Sequence, residues 1–212
     1  MNQHTRSGAS NNVQPIPFID VAGQRKHLGK AIDDAVAKVL DHCQFILGPE
    51  VRELEAQLSS FAGVKHTISC ASGTDALILV LLAKGIGQGD AVFCPSFTFA
   101  ATCEAVALVG GTPVFVDVDE HTFNMNAASL KKAVATARKL GLKPKAVIPV
   151  DLFGLPADHD AIAAVATENN LFVLDDAAQG FGGVCKGREL GGIGLAAATS
   201  FFPAKPLGCY GD

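Results

Sequence analysis

The chain has 212 residues, with 17 Lys and Arg against 21 Asp and Glu, and 49% of its residues are hydrophobic. That composition supports one large core or at most two small ones. The mild acidity argues against a nucleic-acid partner, because no basic stripe is present to neutralise phosphates, and Lys131-Lys132 reads as a solvated helix face.

Residues 1–15 are polar and read as a disordered tail. From Gln24 to His42, Leu28, Ile32, Ala35, Val36 and Val39 recur at helical spacing. Pro49 opens a second helix with Val51, Leu54, Leu58 and Phe61 on one face. An alternation of strands and helices then sets in. Strands are expected at Thr67–Ser69, Ala91–Cys94, Pro113–Val118, Ala146–Val150 and Leu171–Leu174. Helices are expected at Thr74–Ala83, Thr98–Leu108, Ala127–Leu140 and Asp158–Asn169. Beyond Asp176 come many glycines, a hairpin around Lys186-Gly187-Arg188 and a strand from Ala196 to Phe202. The pattern predicts an α/β fold with three layers, a mostly parallel sheet carrying helices on both faces. The chain stops at Asp212 without a closing element, and we read it as ending early.

No apolar run is long enough to cross a bilayer and no secretory segment opens the chain, so a cytoplasmic protein without a membrane partner is expected. Six cysteines and six histidines are dispersed without a CxxC pair, which reads as reduced thiols and no metal site.

In a parallel α/β sheet, ligands collect at the carboxyl ends of the strands, so chemistry is sought there. Ser72-Gly73-Thr74-Asp75 enters a helix, either as an ordinary N-cap or as an anion site built from N–H groups and hydroxyls. The glycines at 85, 87 and 89 follow a helix rather than a strand, the wrong context for a dinucleotide loop. Asp175-Asp176 ends a strand, either as a helix cap pair or with one carboxylate facing a cationic cofactor nitrogen. Phe97 and Phe99 follow a strand and are either core or a stacking platform. Lys205 sits among small and apolar residues between Pro203 and Pro206. A lone lysine there is more often a snorkelling side chain, but desolvation favours the neutral amine that condenses with a carbonyl.

Five segments occur together and in order: Ser72-Gly73-Thr74-Asp75-Ala76-Leu77, Pro95-Ser96-Phe97-Thr98-Phe99, residues 150–158 (VDLFGLPAD), Asp175-Asp176-Ala177-Ala178-Gln179, and Ser200-Phe201-Phe202-Pro203-Ala204-Lys205. From about residue 16 to the end, the chain resembles the DegT/DnrJ/EryC1/StrS family, the sugar aminotransferases among the fold-type-I enzymes of pyridoxal phosphate (PLP). The resemblance implies the large domain of an aspartate-aminotransferase-like PLP transferase over 16–212, with the C-terminal small domain absent. It implies that Lys205 carries PLP covalently and later shuttles a proton, and that Asp176 pairs with the pyridine nitrogen. It further implies that Gln179 contacts the ring hydroxyl, Phe99 stacks on the ring, and Ser72, Gly73, Thr74 and Ser200 hold the phosphate. The implied substrates are glutamate as amino donor and a nucleotide-linked keto-sugar as acceptor, in amino-sugar or surface-polysaccharide synthesis. A homodimer with shared active sites is also implied. Some relatives carry histidine in place of this lysine and act as dehydratases, so Lys205 points to transamination. Many have histidine where this chain has Asp151, next to the sugar site. The competing readings are a PLP lyase or decarboxylase acting on amino acids, and a truncated or non-catalytic PLP-binding relative with a regulatory role.

Overall fold

A computed structural model describes residues 15–16 and 19–210; apart from Pro15, the expected N-terminal tail lies outside them. Helices α1 (Val21–Leu28), α2 (Lys30–His42) and α3 (Pro49–Ala62) lead into α4 (Gly73–Ala83). Then follow β1 (Asp90–Pro95), α5 (Ala101–Leu108), β2 (Thr112–Val116), α6 (Ala127–Lys139), β3 (Lys143–Val147), α7 (His159–Asn169) and β4 (Phe172–Asp176). A short antiparallel pair, β5 (Val184–Cys185) and β6 (Arg188–Glu189), precedes β7 (Ala196–Ala198).

β1, β2, β3, β4 and β7 form one parallel sheet in the order β2-β1-β3-β4-β7. Strand β1 is buried along its whole length, which is why it reads as a continuous apolar run. Its side chains alternate between two cores. Ala91 and Phe93 pack with Leu130, Val134, Ile162 and Val165 of α6 and α7. Val92 and Cys94 pack on the other face with Leu77, Leu81, Ala105 and Val106 of α4 and α5. The expected three-layer α/β architecture is therefore present.

Several boundaries differ from the sequence reading. The helix expected over Gln24–His42 breaks at Gly29, which adopts φ 56° and separates α1 from α2. Thr67–Ser69 joins no ladder. The Ser69 N–H and hydroxyl donate to Glu55 and the Ser59 hydroxyl donates to Thr67, so side chains of α3 pin the segment where a neighbouring strand was expected. The strand expected to run from Ala196 to Phe202 ends at Ala198, and Val150 meets Asp176 through an isolated bridge beyond the end of β3. The helix expected from Thr98 starts at Ala101. The predicted hairpin forms around Lys186-Gly187. Among the described residues, no helix is long and apolar enough to cross a membrane.

Candidate active site

After β1 the chain crosses to β2 on one side, then returns to place β3 on the other. The reversal leaves a crevice at the strands' carboxyl ends, the position at which open α/β sheets bind ligands. A cavity of about 980 Å³ opens there. Of the residues expected from the sequence to serve a cofactor, Gly73, Thr74, Phe99, Asp176, Gln179, Ser200 and Lys205 line it. Leu77, Val150, Phe153 and Phe202 add apolar wall. Ser72 does not line the cavity. Its hydroxyl caps α4, accepting the Asp75 N–H at 3.0 Å.

Helix α4 begins at Gly73, so its positive end lies at the cavity wall. A Cβ on Gly73 would stand 2.7 Å from the Ser200 Cβ and 3.1 Å from the Thr199 carbonyl oxygen. Glycine thus lets the chain leaving β7 close onto the first turn of α4, and two polar segments distant in sequence share one wall.

Asp176 ends β4 and is buried. Its Oδ2 accepts the Thr102 hydroxyl at 2.7 Å, and its Oδ1 accepts the Ala178 N–H at 3.2 Å. Burial raises its carboxyl above the ordinary range, and the Asp151 charge adds to the rise. The Thr102 hydroxyl, the Ala178 N–H and the positive charge of Lys205 oppose it. Lys205 is half-buried, with its Nζ 5.9 Å from the centroid of the Phe99 ring. Phe99 is 67% exposed at the mouth, whereas Phe97 is turned away to pack against Phe123. The Gln179 Oε1 accepts the Phe153 N–H at 2.7 Å.

Asp151 faces away from the cavity and is fully buried. Its Oδ1 lies 2.8 Å from the His159 Nε2 and accepts the Ala157 N–H at 2.9 Å. Asp175 points the same way, because successive strand residues alternate faces. Asp151, His159 and Asp175 are all buried, with one ligand atom from each within 4.8 Å of the others. Among the described residues, neither Asp175 oxygen has a hydrogen-bond partner, nor does the Asp151 Oδ2. Asp175 is pushed up to about 8, chiefly by burial and by the Asp151 charge, with the His159 charge and the nearby Gly191 N–H opposing. Burial lowers His159, but Asp151, Asp175 and Asp160 more than offset it, and the net shift is upward. Sequence spacing gave no sign of this cluster, since its members are spread over 25 positions. The available signal was topological: Asp151 follows β3, Asp175 lies near the end of the neighbouring parallel strand β4, and His159 opens the helix between them.

Residues 26–212 match the model of the DegT/DnrJ/EryC1/StrS aminotransferase family. The chain is 49% identical over 197 residues to a UDP-2-acetamido-2-deoxy-3-oxo-D-glucuronate aminotransferase of Pseudomonas aeruginosa, an alignment that covers 93% of this chain and 53% of the relative. It superposes with a TM-score of 0.91 on a DegT/DnrJ/EryC1/StrS aminotransferase from Brucella abortus, at 53% identity, covering 93% of this chain and 53% of that one. It also superposes on NtdA from Bacillus subtilis with bound cofactor PMP, with a TM-score of 0.84 at 30% identity, covering 95% of this chain and 44% of that one. The chain thus spans about half the length of the relatives it matches. With a family match over most of its length and these relatives, the chain belongs to the DegT/DnrJ/EryC1/StrS aminotransferase family.

Proposed function

We propose that the protein is a PLP-dependent aminotransferase that moves an amino group from glutamate to the keto carbon of a nucleotide-linked sugar. The observation that carries this reading is the meeting of Lys205, buried Asp176 and the opening turn of α4 around one cavity. The residues fit the cofactor. A buried carboxylate suits a protonated ring nitrogen, and a glycine-opened helix end beside the Ser200 hydroxyl suits a phosphate. A flat aromatic ring stands over the lysine amine.

Bound PLP supplies an electron sink for the bonds at the amino-bearing carbon. Lys205 holds the cofactor through its Nζ and, once released, moves a proton at the substrate carbon. Asp176 keeps the ring nitrogen protonated, held by Thr102 and the Ala178 N–H. Gln179 donates its amide NH2 to the ring hydroxyl, with the amide oriented by the Phe153 N–H. Gly73, Thr74 and Ser200 bind the phosphate, and Phe99 lies against the ring. Ser72 supports the phosphate site indirectly, as the cap of α4.

We take residues 16–212 as the cofactor-binding domain of a cytoplasmic homodimer that shares its active sites. Exposed apolar side chains support the dimer: Val36 and Leu40 of α2 continue into Phe45, Ile46 and Leu47. The keto-sugar substrate follows from the relative that acts on a UDP-linked 3-oxo sugar. Borohydride reduction of the PLP-loaded protein, followed by peptide mapping, tests the site. The expected adduct is on Lys205. An adduct on another lysine, or retained turnover of glutamate and a keto-sugar nucleotide by Lys205→Ala, refutes the assignment.

A further inference from the structure

We propose that Asp151, His159 and Asp175 form a buried positioning unit that fixes the turn after β3, and through that turn aims Asp176 and Gln179 into the cavity. The role given to those two side chains rests on the proposed function; the buried unit itself stands on this chain's geometry alone.

Asp151 is tied through its Oδ1, its backbone N–H and its backbone carbonyl. Its side chain is anchored to the start of α7 by the His159 ring and the Ala157 N–H. Its backbone N–H donates to the Asp176 carbonyl at 3.1 Å, and its own carbonyl accepts the Gly154 N–H at 3.2 Å. The Asp176 N–H in turn donates to the Pro149 carbonyl at 2.9 Å. Two residues on, the Phe153 N–H holds the Gln179 amide at 2.7 Å. The same short turn therefore grips the backbone that carries Asp176 and the side chain of Gln179.

The turn does not hold this shape unaided. Phe153 sits at φ 56°, ψ 20°, in the left-handed region. A bulky residue there is strained and persists only where its surroundings over-determine it. Phe153 is 74% exposed, so core packing does not supply the restraint. The restraint comes from the turn's ends, at Asp151 and at the hydrogen bonds around it. Asp175 completes the unit from β4. Its carboxyl is fully buried with both oxygens unpartnered, and it lies on the side of the strand that faces Asp151 and His159. The Asp151 charge favours a proton on Asp175, and the charges of Asp151 and Asp175 favour the protonated form of His159, so the three side chains are coupled at close range. Asp160 at the start of α7 and Asp176 on β4 are the other charges bearing on the pair.

A metal ion fits these residues less well. The His159 Nε2 and the Asp151 Oδ1 are 2.8 Å apart, a hydrogen-bond length, whereas two ligands on one tetrahedral zinc stand about 3.3 Å apart.

The test compares His159→Leu, which removes the anchor, with His159→Gln, which keeps an N–H donor of similar reach. Amide exchange at Phe153 and Asp151 is measured without cofactor, and PLP binding is measured by titrating its absorbance band. The Leu variant is expected to exchange both amides about tenfold faster and to bind PLP at least about tenfold more weakly, as loss of supporting-shell partners generally does. The Gln variant is expected to restore both. Unchanged Phe153 exchange in His159→Leu overturns the proposal. So does fast exchange in a folded Gln variant, which decides the matter if the Leu variant fails to fold. A stoichiometric metal in the purified protein, whose removal mimics His159→Leu, also overturns it. If the parent protein does not bind PLP, the proposed function fails, while the exchange data still decide this inference.

Discussion

Replacing Asp175 by asparagine is expected to stabilise the protein, and to do so more at higher pH. The carboxyl is fully buried, has only the Gly191 N–H near it and no hydrogen bond of normal geometry among the described residues, and is raised from an ordinary value of 3.8 to about 8. A raised folded value means that the native chain holds a proton which the unfolded chain releases. This group's contribution to stability is therefore complete below pH 4, falls as pH rises, and levels off above pH 8. At about 1.4 kcal/mol per pH unit, keeping that proton at pH 7 costs about 4 kcal/mol. Asp151 and His159 share the same field, so we expect about half of this, roughly 2 kcal/mol, to appear as a gain in Asp175→Asn, in line with neutral replacement of other buried charged groups. The asparagine NH2 replaces the carboxyl proton as donor toward Asp151, so the packing is retained. Urea unfolding of parent and variant at pH 5 and pH 7 reads the effect. The advantage of the variant should widen between the two by about 1–2 kcal/mol. A variant less stable than the parent at pH 7, or a gap that does not change with pH, would show that Asp175 is ionised and well partnered, and the argument from burial would fail.

Asp176→Asn should retain the fold and lower transamination by at least about a hundredfold, the scale for losing one preorganised charged partner; near-parental turnover rules out its pairing with the ring nitrogen. Thr102→Val removes the 2.7 Å bond that holds the Asp176 carboxyl down, so the acidic limb of the rate profile should move to higher pH. An unshifted limb would mean that another group sets it. Gly73→Ala pushes a Cβ to within 2.7 Å of the Ser200 side chain, so PLP should bind at least about tenfold more weakly, about 1.4 kcal/mol. Parental affinity in that variant would separate the α4 end from the phosphate.

The sheet was legible because fully buried strands such as β1 read as apolar runs between amphipathic helices. Breaks decided by single residues were not. Gly29 interrupts a helical pattern that Leu28 and Ile32 continue across it, and one glycine costs only about 1 kcal/mol in a helix, too little to place a break from sequence alone. Thr67–Ser69 has strand-like residues, but the Ser69 N–H and hydroxyl find Glu55 of α3, fourteen residues away, a contact that local composition does not encode.

The strand ends show the same division more sharply. Lys205, Asp176 and the α4 turn could be nominated by position, because a parallel sheet delivers every strand's carboxyl end to one edge. Which of two adjacent aspartates faces that edge's cavity is a question of alternation. Leu174 packs with the α4–α5 core, so Asp176, two residues on, shares its face and meets Thr102 of α5. Val173 packs against the α6–α7 core, so Asp175 turns toward His159 of α7. Two identical residues side by side thus have opposite environments. One carboxylate has donors at both oxygens and a lysine nearby; the other is left to hold a proton. The sequence contains both, but the choice between them depends on which helix covers each face, and that is settled only when the chain reverses between β2 and β3.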